Sequence, residues 1–284
     1  MPRVFANWLC FALLAAATAA FAAPPLRVVA SIPPLAHIAR DLAGDWLALE
    51  VLLEGEIDAH HASLSWSQRR ALEEADLVLW VGPQLEAALA DPLGRLPEER
   101  VLSMAAVVSR GDADPHYWLD PERAAAFASV LAARLAALAP DRADALATAQ
   151  ARWSAALARQ VAEIEGRLAG HGNRALVVEH QAWGHFARRF RLSIAGALSD
   201  ESGVAAGPRT LARLAARRDV ACVLVERLPA SRRAARLAER LGVPVVAVDP
   251  LGRDLPAKAG YLHLLAAVAE GIASCLGNHA VPRP

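Results

Sequence analysis

The chain has 284 residues, 55% of them hydrophobic and 21% charged, with 30 basic side chains against 30 acidic ones. That composition excludes a disordered or low-complexity chain. No cluster of basic residues is interleaved with aromatics, which argues against a nucleic-acid binder.

At the start of the chain, Arg3 precedes an uncharged, mostly apolar run from Trp8 to Phe21, and Ala20-Phe21-Ala22 offers a small-x-small cleavage site ahead of Pro24-Pro25. This pattern predicts a cleavable secretory signal over residues 1–22. The run is shorter than the roughly 20 apolar residues that span a bilayer, so a soluble exported protein is expected. Its charge is near −1, and Lys258 is its only lysine. Two cysteines remain after cleavage, Cys222 and Cys275. In an exported protein an even pair points to a disulfide, the alternative being two buried free thiols.

Short β-branched or apolar runs predict strands at 27–31, 47–53, 76–81, 174–178, 221–225 and 244–248, with helical periodicity between them at 35–42, 67–75, 121–138 and 210–216. Strands alternating with helices imply parallel sheets with crossover helices. Residues 141–168 contain no proline, have their first glycine at Gly166, and are rich in strong helix formers. Pro140 stands where a helix can begin, and Gly170 and Gly172 where one should end. The expected fold is α/β: an N-terminal lobe over residues 24–139, one long backbone helix over 140–169, and a C-terminal lobe over 170–284. Both lobes are expected to hold parallel sheets flanked by helices. A ligand would then sit in the interlobe cleft, at the carboxyl ends of the strands.

Four polar residues fall in that position: His60 after strand 47–53, His116 ahead of helix 121–138, His180 after strand 174–178 and Asp249 after strand 244–248. Three neutral imidazoles and a carboxylate make a suitable tetrahedral set for zinc, and the lack of thiolates argues against copper(I). Spacing leaves His61 as an alternative to His60. Asp249, standing before Pro250, can equally cap a turn. His185 reads as structural or as a support behind the ligands. Glu226, just after strand 221–225, is placed either to orient a ligand or to lie near the metal. His37, His171, His263 and His279 receive no role.

These segments resemble the cluster A-I metal-binding proteins of zinc and manganese ABC importers, and within them the zinc-uptake branch. Asp58-Ala59-His60, with Ala71–Glu86 after it, is similar to the family's first ligand loop and the helix and strand that follow. Asp114-Pro115-His116-Tyr117-Trp118-Leu119-Asp120-Pro121, Glu179-His180-Gln181-Ala182-Trp183-Gly184-His185-Phe186 and Val248-Asp249-Pro250-Leu251-Gly252 are similar to the other three motifs, in the family's order. The resemblance covers nearly the whole mature chain. It implies two α/β lobes bridged by a rigid helix, His60 rather than His61 as ligand, and a fourth position filled by Asp249 or by water. Cys222 and Cys275 stand at the disulfide positions of the zinc branch. The third ligand is a histidine where the manganese branch has a glutamate, which favours zinc.

The chain departs from the pattern in three places. No histidine-rich loop precedes His116, Ala59 replaces a possible carboxylate ligand, and Trp66 stands where proline is usual. The implied function is non-enzymatic: a monomer that captures Zn2+ in the periplasm and delivers it to the membrane permease of an ABC transporter. The rivals are a manganese or iron binder of the same family, a periplasmic zinc hydrolase, and a metal-dependent adhesin or storage protein. Against the hydrolase, the chain contains no His-Glu-x-x-His, Gly-x-Ser-x-Gly or phosphate-loop motif.

Overall fold

Apolar runs too short for helices form the strands, and proline or side-chain caps start several of the helices between them. The computed structural model describes residues 24–277 apart from 56–58 and 172. The proposed signal segment, Asp58 of the first motif and His279 lie outside the described residues. In the first half, β1 (Leu26–Ala30), α1 (Pro33–Ala43), β2 (Leu47–Val51), α2 (Trp66–Glu74), β3 (Leu77–Trp80), α3 (Ala87–Leu93), β4 (Val101–Ser103), α4 (Met104–Val108) and α5 (Pro121–Leu138) follow in order. Then α6 (Ala143–Leu168) leads into β5 (Ala175–His180), α7 (Gly184–Arg189), β6 (Ser193–Ser199), α8 (Pro208–Ala215), β7 (Val220–Val225), α9 (Arg232–Leu241), β8 (Val245–Ala247) and α10 (Tyr261–Gly277).

The strands form two four-stranded sheets, ordered β2-β1-β3-β4 and β6-β5-β7-β8. Every pairing within them is parallel. Strands β3 and β7 are buried along their whole length, as expected where helices cover both faces of a parallel sheet. Among the described residues, no helix is long and apolar enough to cross a membrane.

Local chemistry sets the helix starts that matter for the cleft. Ser65 and Gln68 form a reciprocal capping box at the head of α2. Asp120 accepts the Glu122 amide at 2.9 Å while Pro121 opens α5. Helix α6 is preceded by a single 3-10 turn, Pro140–Arg142. It is 26 residues long. At the helical rise of about 1.5 Å per residue it spans about 39 Å.

Helix α6 packs against α1, α5 and α10, so it touches both lobes. One buried hydrophobic cluster runs from Val28 and Leu79 through Trp153 to Cys222 and Leu264. The Asp41 carboxylate on α1 accepts Trp153 Nε1 of α6 at 2.8 Å and the Tyr261 amide of α10 at 2.9 Å. A Cβ on Gly260 would fall 1.6 Å from Asp41 Oδ1, so only glycine allows this approach. Nearer the cleft, Trp118 Nε1 donates to Pro250 O at 2.8 Å, and Tyr261 Oη donates to Trp118 O at 2.7 Å. The lobes therefore share a core and are cross-tied by buried hydrogen bonds.

The structure also shows two strands that sequence reading omits, β4 and β6. The first has only three residues; the second, SIAGALS, is mostly Ser, Ala and Gly, which carry little strand signal. Strand β5 extends further than expected, so His180 is its last residue rather than part of the following loop.

Just beyond β3, Glu86 is fully buried. Its carboxylate accepts the Val81 and Gly82 amides at 2.8 and 3.2 Å. Burial pushes its pKa from 4.5 up to about 7, against the opposing effect of its hydrogen bonds. The native state thus holds a proton that the unfolded chain gives up between those values, and this contribution to stability is lost as pH rises through 7. In denaturant titrations, Glu86→Gln should narrow its stability deficit, or widen its advantage, by roughly 2 kcal/mol on going from pH 5 to 7.5. A difference between the two proteins that stays constant with pH would contradict this reading.

Candidate metal centre

Each of the three histidines is delivered by a different kind of local structure. His60 lies on the 3-10 turn Ala59–His61 that follows β2. His116 ends the loop after α4, immediately before the 3-10 turn Tyr117–Leu119. His180 closes β5 at its carboxyl end. Their ring centroids lie 5.0 to 5.5 Å apart, and each offers a nitrogen within 4.8 Å of the others. His116 Nε2 and His180 Nε2 are 3.2 Å apart. Two nitrogens each about 2.05 Å from one tetrahedral zinc would be separated by roughly 3.3 Å. His116 is buried, and His60 and His180 are half-buried.

The groups behind these rings fix their orientation. Asp114 Oδ1 accepts His116 Nδ1 at 2.8 Å and the His116 amide at 3.0 Å. With the proton on Nδ1, the His116 Nε2 lone pair is turned toward His180. Burial raises the Asp114 carboxyl, but its hydrogen bond to His116 and the neighbouring imidazole charges outweigh burial and leave its pKa below the ordinary value. His185, buried on α7, donates from Nε2 to Asp114 O at 2.9 Å and accepts an Arg188 guanidinium N–H on Nδ1 at 3.0 Å. It supports the loop that carries His116. A Cβ on Gly184 would come within 2.7 Å of Asp114 Oδ2, so this glycine makes room for the same carboxylate. Asp114 lies inside a motif visible in the sequence, two residues before His116, yet only the fold reveals its role.

The three imidazoles line a cavity of about 380 Å3 together with Leu85, Trp118, Glu179, Ser199, Glu226 and Arg253. Burial pushes the Glu226 carboxyl up. Asp249 is not among the three residues whose ligand atoms converge; its carboxylate instead meets Arg253 at 2.9 Å. His61 is exposed, 6.5 Å from His60 between ring centroids. Cys222 of β7 and Cys275 of α10 form a disulfide with Cα atoms 5.7 Å apart.

Fold and site together define a two-lobed α/β protein whose cleft can hold a metal ion. The family model described as ZnuA, zinc-uptake complex component A periplasmic, matches residues 28–275. The chain belongs to this family. It is 28% identical to the high-affinity zinc uptake system protein ZnuA of Haemophilus ducreyi, over 88% of this chain and 93% of that protein. It is 29% identical to the ZnuA of Paracoccus denitrificans, over 88% and 92%. A solved crystal structure of ZnuA superposes with a TM-score of 0.77 at 26% identity, covering 89% of this chain and 99% of that one.

Proposed function

We propose that this chain captures a Zn2+ ion in the periplasm, using His60, His116 and His180 as ligands, and delivers it to the membrane permease of an ABC transporter. The observation that carries this reading is the convergence of three imidazole nitrogens, supplied by both lobes, within 4.8 Å of one another, with the His116–His180 pair at 3.2 Å, a separation one zinc ion can bridge. Membership of the zinc-uptake family supports zinc as the cargo. The ion is transported unchanged, so the site needs no nucleophile and no general base. A signal segment at residues 1–22 would bring the chain to that compartment, where it acts as a monomer.

The shared core and the cross-ties at Asp41 and Trp118 support small, local ordering on binding rather than a wide hinge rotation. Swinging one lobe away would expose apolar surface and break buried hydrogen bonds.

Affinity should depend on pH, because imidazole binds zinc only in its neutral form. Ordinary imidazoles titrate near 6.5, and protons compete with zinc below that value. Isothermal titration at pH 7.5 and 5.5 should show zinc affinity weaker by between about 10-fold and 1,000-fold at the lower pH, according to how many imidazoles must lose a proton. Equal affinities at the two pH values would reject a three-histidine centre.

A further inference from the structure

Asp249 follows β8, where the sequence predicts a fourth ligand, yet its carboxylate is already engaged. Oδ1 accepts the Leu251 amide at 3.0 Å, Arg253 Nε at 3.1 Å and an Arg253 terminal nitrogen at 2.9 Å. Oδ2 accepts the Arg253 amide at 2.5 Å. A carboxylate offers about four lone-pair sites, two on each oxygen; here three donors crowd Oδ1 and a fourth meets Oδ2. The two side chains are only 13% and 14% exposed, so solvent screens their attraction weakly. Arg253 also lines the cavity with the three histidines and stands 4.0 Å from Glu226.

We infer that Arg253 is a positioning residue for metal selection: it withholds the Asp249 carboxylate from the ion and leaves a centre dominated by neutral imidazoles. The inference rests on the three-histidine reading above. Imidazole suits zinc, whereas carboxylate oxygen suits harder ions such as Mn2+. Adding Asp249 to the coordination shell would help Mn2+ more than Zn2+. Withholding it thus widens the preference for zinc.

The test must separate a new donor from a simple change of charge. Loss of the guanidinium charge strengthens binding of every divalent cation in similar proportion and leaves the Zn2+/Mn2+ affinity ratio nearly unchanged. A freed carboxylate ligand lowers that ratio. With the chelator-stripped full chain, competition titrations with Zn2+ and Mn2+ would compare the native protein, Arg253→Gln, Asp249→Asn, and Arg253→Gln combined with either Asp249→Asn or Glu226→Gln.

The expected results are a ratio at least about tenfold lower in Arg253→Gln, return to the native ratio when Asp249→Asn is added, and no return when Glu226→Gln is added. Asp249→Asn alone removes one negative charge for every cation alike, so the Zn2+/Mn2+ ratio should stay within about threefold of native. An unchanged ratio in Arg253→Gln, or a ratio shifted tenfold or more in Asp249→Asn alone, overturns the inference. If the native chain fails to bind zinc, the three-histidine reading itself falls.

Discussion

His180→Ala should weaken zinc binding by about 1,000-fold or more. Partners that merely orient a metal ligand are worth 10- to 100-fold in affinity, and His180 is proposed to bind the ion directly. Its Nε2 lies 3.2 Å from His116 Nε2, at the rigid end of a strand paired to β6 and β7. Metal analysis of protein prepared from the periplasm without added metal should find zinc in the native chain and little in the variant. A melting experiment gives an independent readout. A ligand that binds only the folded state stabilises it by RT ln(1 + [L]/Kd), so added zinc should raise the native melting temperature and leave that of His180→Ala almost unmoved. Equal zinc contents would remove His180 from the centre.

Removing the Cys222–Cys275 disulfide should cost about 4 kcal/mol of stability, from the chain-entropy cost of the 53-residue loop it closes. In a chain of this size that corresponds to a fall in melting temperature of roughly 8 °C. Both cysteines are fully buried, one in the central part of the second sheet and one near the end of α10. The double variant Cys222→Ala/Cys275→Ala therefore also leaves small voids, which add to the loss. Zinc affinity should change by less than about threefold, because Cys222 sits near the start of β7 while the cleft lies beyond its carboxyl end. A melting temperature within about 2 °C of native would show that the crosslink contributes little.

Much of the architecture can be read locally. Helix α5 covers the residues that periodicity predicts, since Asp120-Pro121 marks its start and its apolar spacing repeats cleanly to Leu138. The long helix α6 follows from an unbroken run of strong helix formers without proline. Strands β1, β3, β5, β7 and β8 are apolar runs bounded by turn residues, and the structure moves their ends by two residues at most. β6 escapes notice because its small residues imitate a loop. The two sheets repeat one strand order, although the two halves show no repeat in sequence. Topology depends on alternation of element types, which tolerates almost any choice of apolar residue.

The candidate site was legible to a smaller depth. The candidate ligands are histidines at element ends or in the loops beside them, and His60, His116 and His180 do converge. Asp249 carries the same kind of mark but faces Arg253. A residue four positions on, in an irregular turn, decides which way that carboxylate is held. No periodic pattern reports such a contact.

The amino-acid sequence by itself determined the alternating α/β elements, the bridging helix, the cysteine pair and a short roster of imidazoles able to bind a metal. Each of these depends on neighbours along the chain: hydrophobic spacing, helix propensity, or the chemistry of a single side chain. Only the tertiary structure decided that nitrogens of three rings far apart in the chain meet within 4.8 Å, that Asp114 and His185 stand behind one of them, and that Arg253 engages the one acid among the four candidates. Those outcomes are distances between remote segments, fixed by how two sheets and a shared core pack.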